Sequence, residues 1–168
     1  QISPTQTQYY LRTWTKKGIL LGLKQGVYAE REHLPSEEEI ANVLYAPSYL
    51  SFEYVLGKFG IIPEMSYSIT SATTKSTRTF SVQEKTFFYE SIKKAAFTDY
   101  TAKQHDGRTW LIAEPEKALV DYLYFVSLGR KPWNDRMRLS KLDPKKIKKY
   151  ALLFERPSLV KLLSKLSL

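Results

Sequence analysis

Five side chains near the amino end, Thr5, Gln8, Tyr9, Arg12 and Lys16, are spaced so that a helix through them would carry all five on one side. Hydroxyl, amide and guanidinium groups in that array are the groups that hydrogen-bond base edges and phosphates. Lys24 and Gln25 follow in a short glycine-containing stretch, where a cation and an amide suit contact with a sugar-phosphate backbone. Further along, Lys75 and Arg78 stand among serines and threonines. A phosphate grip and a solvated turn explain that pair equally. Lys145, Lys146, Lys148 and Lys149 crowd the first turns of a helix, where positive charge opposes the dipole. Such placement hints at phosphate contact, against the ordinary reading of a solvated face.

Other chemistries lack their parts. With no cysteine, disulfides and thiolate metal sites are excluded, and a reducing cytoplasm is the expected location. The apolar runs are far shorter than a bilayer span, so no membrane partner is expected. A nucleotidyltransferase needs a Gly-Ser pair beside two carboxylates that hold Mg²⁺, and here no glycine is followed by serine. The spacings around Gly22, Gly26, Gly57 and Gly60 fit no phosphate-binding loop. His33 and His105 stand far apart beside charged neighbours, an arrangement unsuited to a triad or a zinc site. A metal-dependent nuclease would have to draw on Asp99 or Asp106 with Glu114, Glu116 and Lys117. Such sites want an acid and a lysine one residue apart on a strand, whereas Glu116 and Lys117 are adjacent and follow Pro115. No catalytic residue, metal, cofactor or small-molecule substrate is therefore expected.

The elements that would position these groups are well punctuated. Ser3-Pro4 reads as a helix start and Gly18 as its stop, with Thr7, Tyr10, Leu11 and Trp14 opposite the polar face. Ile19 to Lys24 and Val27 to Ala29, joined through Gln25-Gly26, read as a hairpin. A helix followed at once by a tight basic hairpin matches the recognition helix and wing of a winged helix-turn-helix, without its earlier helices. The chain opens on Gln1 rather than Met, almost directly on a helix start, so a further natural N-terminal piece is expected. The plainer alternative is a packed helix with a surface hairpin.

Ser36 and Glu39 make a capping box, Pro47-Ser48 interrupts, and a short helix spans about Ser51 to Phe59. From Ser66 the period becomes two: Tyr67 and Ile69, then Phe80 and Val82 around a polar turn from Thr73 to Arg78, then strands near Thr86–Ile92 and Tyr100–Gln104. Asp106-Gly107 turns the chain back into Thr109–Ala113, and Pro115 opens a helix to Leu128 that is apolar on nearly every side. Only Glu116, Lys117, Asp121 and Ser127 are left to face water, with Lys117 and Asp121 as an i,i+4 pair. Two further helices carry stripes of Ile147, Tyr150, Ala151, Phe154 and of Leu159, Leu162, Leu163, Leu166. The expected class is α+β: a partial winged helix-turn-helix over residues 1–33, then a mixed, mostly antiparallel sheet domain packed with helices over 34–168.

Lysine and arginine number 26 against 17 acids, a net charge of +9, and from Glu114 onward bases outnumber acids thirteen to six. Such a basic third is the electrostatic footprint of a nucleic-acid binder. A protein- or RNA-interaction module with a basic face accounts for the same charge.

Four blocks resemble the AbiEi family: Tyr49-Leu50-Ser51-Phe52-Glu53, Gly60-Ile61-Ile62-Pro63-Glu64, Thr70 to Phe80, and Ile112-Ala113-Glu114-Pro115-Glu116-Lys117-Ala118-Leu119-Val120-Asp121-Tyr122-Leu123-Tyr124. The likeness spans about Tyr10 to Phe125, and its most specific parts are the last block and the Thr/Lys/Arg block. The family comprises antitoxins and transcriptional regulators of type IV abortive-infection toxin–antitoxin systems in phage defence. The resemblance implies a winged helix-turn-helix that represses its own operon at promoter DNA. It also implies a C-terminal domain that counters a nucleotidyltransferase toxin without a stable complex. In such proteins a stretch like Tyr10 to Tyr28 is the recognition helix and wing. Where the family often has an arginine-rich wing, this chain has Leu23-Lys24-Gln25-Gly26, and where a threonine usually caps the central helix, Glu114 stands instead.

Overall fold

Local backbone chemistry sets the first elements. The computed structural model describes residues 3–166; Gln1, on which the expectation of a preceding piece rests, and the last two residues of the second expected domain lie outside them. Helix α1 (Pro4–Lys16) starts on a capping box in which the Ser3 hydroxyl accepts from Gln6 N at 3.2 Å and the Gln6 side chain accepts from Ser3 N at 2.9 Å. Strands β1 (Leu20–Lys24) and β2 (Val27–Glu30) pair antiparallel, with Gly26 at φ 78° in the turn, a backbone conformation that glycine adopts without cost. Helix α2 (Glu37–Leu44) carries the expected box, Ser36 N to Glu39 Oε2 at 2.9 Å and Glu39 N to Ser36 Oγ at 3.3 Å.

The remaining elements are β3 (Ser48–Leu50), α3 (Phe52–Lys58), β4 (Ile69–Thr73), β5 (Arg78–Val82), β6 (Lys85–Ser91), β7 (Tyr100–His105), β8 (Arg108–Ala113), α4 (Pro115–Ser127), α5 (Pro144–Leu152) and α6 (Pro157–Lys165). Six strands form one sheet in the order β5-β6-β4-β3-β8-β7. The β3–β8 and β4–β6 pairs are parallel and the other three antiparallel, so the class is α+β with a mixed sheet. Helix α2 lies against β3, β4 and β8, while α4 packs on α3, α5 and α6. Leu119, Leu123 and Phe125 of α4 are wholly buried, each contributing about 1.5–3 kcal/mol of apolar burial.

Three expectations are corrected. Pro47-Ser48 does not merely interrupt: Ser48–Leu50 is a buried strand at the centre of the sheet, held by β4 on one side and β8 on the other. Three residues are too few to show a period. The period of two expected from Ser66 through Tyr67 and Ile69 is not seen in β4, which is buried along its whole length, with Tyr67 outside it and exposed. Its two threonine hydroxyls satisfy loop carbonyls instead, Thr70 Oγ1 donating to Ser51 O and Thr73 Oγ1 to Pro47 O, each at 2.7 Å. Finally, Lys117 and Asp121 do not face water, for both are 0 % exposed.

That buried pair ties α4 to the sheet. Lys117 Nζ bonds Asp121 Oδ1 and donates to the Tyr49 hydroxyl at 2.8 Å. Asp121 Oδ2 in turn accepts from Tyr49 at 2.9 Å and from Ser51 at 2.7 Å. Burial pushes the Asp121 carboxyl above its ordinary value, opposed by the Lys117, Ser51 and Tyr49 donors. Burial, then the facing Asp121 charge, raises the Tyr49 phenol well above its usual range. Beside the cluster Tyr49 stacks on Tyr100 at 4.8 Å, and Phe97 packs tilted against both at 5.0 and 5.3 Å.

Candidate nucleic-acid interface

Helix α1 buries no residue at all. Thr5, Gln8, Tyr9, Arg12 and Lys16 all lie in solvent on it. The opposite stripe is largely exposed too: Tyr10 at 42 % and Trp14 at 43 % stack on each other with centroids 5.7 Å apart, and only Leu11 and Thr13 are half-covered. Ile19 N donates to Trp14 O at 2.9 Å, joining the end of the helix to the start of the hairpin. The helix therefore leans on β1 and leaves its polar face open.

The hairpin is held by the larger body. Leu23 is buried in the core, and Lys24 Nζ donates to Leu44 O at 2.7 Å and Val43 O at 3.5 Å, at the carboxyl end of α2. A cation there complements the negative end of the helix dipole. The Lys24 ammonium is thus engaged by backbone and acts first as an anchor for the wing-like turn, leaving the Gln25 side chain exposed beside it. Arg108 fastens the connector from the other side by donating to Leu34 O at 2.8 Å and His33 O at 3.0 Å.

Lys24 and Gln25 meet Lys75 and Arg78 in one groove of ≈ 340 Å³, floored by Tyr45 and Phe80. The turn that carries Lys75 is pinned at both ends. Thr73 Oγ1 accepts from Lys75 N at 3.1 Å, and Thr77 Oγ1 accepts from Ser91 N at 3.2 Å. Arg78 then enters β5 opposite Tyr89. Lys75 Nζ sits 5.4 Å and Arg78 Cζ 5.9 Å from the Tyr45 ring centroid, with Arg78 also 5.3 Å from Phe80, all within cation–π reach. Tyr45 and Phe80 rest in turn on Tyr89, whose hydroxyl donates to Ala41 O at 2.5 Å and whose phenol burial pushes upward. Among the described residues neither Lys75 nor Arg78 forms an ion pair. Two unneutralised cations held over aromatic faces, beside an exposed amide, can take phosphate oxygens at the rim.

The four C-terminal lysines do not act as one set. Lys146 pairs with Glu114 at 2.7 Å and Lys149 with Asp99 at 3.1 Å, while Lys145 and Lys148 form no ion pair among the described residues. The Glu114 hydrogen bond raises the Lys146 pKa. The acids weighed for a nuclease are dispersed. Asp99 and Glu114 hold those lysines, Glu116 accepts from Asp143 N at 3.1 Å, Asp106 sits at an exposed turn beside His105, and Lys117 is in the core. Among the described residues no three His, Asp or Glu side chains converge as metal ligands. None of the described helices is long and apolar enough to cross a membrane.

Tyr45 was not singled out by sequence, and Phe80 only as a strand residue. Tyr45 follows α2 and precedes Ala46-Pro47, where an aromatic reads as ordinary core, and no local period links it to residues thirty positions later. No family model matches the chain, and no curated protein matches it either.

Proposed function

We propose that this protein is a DNA-binding transcriptional regulator, an autorepressor with antitoxin activity of the type IV kind, which works in the cytoplasm without catalysis. Helix α1 serves as recognition helix, the β1–β2 hairpin as wing, and promoter DNA as the partner. The second domain opposes a nucleotidyltransferase toxin without holding it in a stable complex, as the resemblance to AbiEi proteins implies. One observation carries the DNA reading: the polar face of α1 is free along its length, and the hairpin against its end also borders the Lys75–Arg78 groove. Base-reading groups on α1 and phosphate-binding groups in the groove therefore adjoin the same hairpin.

Fluorescence anisotropy with the protein's own promoter duplex, titrated from 50 to 200 mM salt, tests this. Log affinity is expected to fall linearly with log salt. Arg12→Ala or Lys16→Ala should cost on the order of 1–3 kcal/mol and relax sequence preference, whereas Lys75→Ala and Arg78→Ala should each lower the salt slope by about one with little change in preference. Promoter binding indistinguishable from that of unrelated DNA, or indifference to all four substitutions, would remove the reading.

A further inference from the structure

Helices α5 and α6 enclose a groove that the DNA reading does not use. Its volume is ≈ 380 Å³, and its walls are Ala151, Leu152, Val160 and Leu163, with Lys148 and Ser164 at the edge. Leu152 is 67 % and Val160 47 % exposed, although each belongs to a helix whose other face is well packed on Ile147, Tyr150 and Leu159. Exposed branched side chains on the two facing walls of one concave strip give a ridge-accepting surface, of the kind an amphipathic helix fills with residues at i, i+3, i+4 and i+7.

The charge around the strip selects the occupant. Lys145 and Lys148 lie on the α5 side and Lys161 on the α6 side, and none of the three forms an ion pair among the described residues. A binding helix that carried lysine or arginine along its flanks would be repelled, while one carrying glutamate or aspartate would meet a cation on either side. Among the described residues, a second copy of this chain offers no such helix. Its acidic stretch is α2 and α3 with their flanks, and all five carboxylates between residues 34 and 64 are already held by lysine or arginine of the same chain. The apolar residues of α2 are also mostly spent inward, with Ile40, Ala41 and Leu44 in the core. Concavity argues against a bilayer, because a flat surface would touch only the exposed Leu152 and Val160 and leave the strip between them unfilled.

We propose that the α5–α6 groove is a docking site for an acidic amphipathic helix of a different protein, whose apolar ridge seats on Leu152 and Val160 and whose flanking carboxylates pair with Lys145, Lys148 and Lys161. The site is separate from the α1 and β1–β2 surface, so protein docking and DNA binding stand or fall independently.

The probe is a fluorescein-labelled helical peptide of about 16 residues with leucine at i, i+3, i+4 and i+7 and glutamate at the flanking positions. Three controls accompany it: the same composition with scrambled periodicity, the same leucine stripe flanked by lysine, and vesicles of equal parts phosphatidylglycerol and phosphatidylcholine. Micromolar binding of the first peptide is expected, with at least tenfold weaker binding of both altered peptides. Leu152→Ser and Lys161→Glu are surface changes and should each weaken it at least fivefold, with far-UV circular dichroism and promoter binding unchanged. Equal binding of the scrambled peptide would reduce the site to charge alone and overturn the proposal. So would failure of the glutamate peptide to bind, or vesicle binding abolished by Leu152→Ser in its place.

Discussion

Replacing Lys117 by methionine removes a fully buried ammonium and keeps most of its volume. Asp121 then loses its one cationic partner among the described residues, though the Tyr49 and Ser51 hydroxyls still donate to Oδ2 at 2.9 and 2.7 Å. Removing one member of a buried pair costs about 3–5 kcal/mol, because the other charge stays desolvated. The two surviving donors place the expectation at the low end, about 3 kcal/mol. For a chain of 168 residues that corresponds to a fall in Tm of roughly 6–12 °C. Asp121 also predicts the pH dependence of the deficit. Burial already raises its carboxyl above 3.8, and without Lys117 the rise is larger. A carboxyl whose folded pKa exceeds its unfolded one disfavours folding increasingly as pH rises between the two. The deficit relative to the parent should therefore be small near pH 3.8 and greatest at neutral pH. In the double replacement Lys117→Met/Asp121→Leu no charge is stranded, and only the Tyr49 and Ser51 hydroxyls lose a partner, at about 1–3 kcal/mol in all. Urea unfolding followed by circular dichroism at pH 4 and pH 7 should give a coupling of at least 2 kcal/mol in the double-mutant cycle. Additive effects, or a pH-independent loss below 1 kcal/mol for Lys117→Met, would refute a buried, mutually dependent pair.

Two other perturbations test the frame around the site. Gly57→Ala would ordinarily favour a helix, but a Cβ there meets the Glu64 carbonyl oxygen at 2.6 Å, so thermal unfolding should show a loss of about 1–3 kcal/mol; a raised Tm would show that the α3 to Glu64 contact is looser. Burial would raise the Glu38 carboxyl, yet hydrogen bonds from Lys58 at 2.6 Å and Tyr54 at 2.8 Å outweigh it and hold the pKa down at about 2. Its contribution is fully present above pH 4.5 and lost as pH falls toward 2, on the order of 1–2 kcal/mol after discounting for solvent around Lys58. Glu38→Gln should flatten that part of the acid-unfolding curve, and an unchanged curve would sink the assignment.

What could be read from residues alone was what near neighbours in the chain decide. Ser3-Pro4, Ser36 with Glu39, and Glu114-Pro115 start α1, α2 and α4 because a cap satisfies backbone donors within three residues, or because a proline at the first helical position presets φ and has no N–H to satisfy. Gln25-Gly26 makes the hairpin for the same local reason, since its turn needs a positive φ that glycine supplies. The exposure of Thr5, Gln8, Tyr9, Arg12 and Lys16 also agrees with the helical spacing, though the opposite Tyr10–Trp14 stripe shows that spacing names a face without naming what covers it. Tertiary structure alone decided the rest. Ser48–Leu50 is a strand only because β4 and β8 flank it, and Lys117 with Asp121 is interior only because Tyr49 and Ser51 arrive from that strand with hydroxyls to receive the pair. Lys24 and Gln25 share a groove with Lys75 and Arg78 because the first hairpin docks on the end of α2 beside β5, a meeting of segments some fifty residues apart. Hydrogen bonds between neighbours are written in residue order, whereas burial depends on which distant surface comes to lie on top.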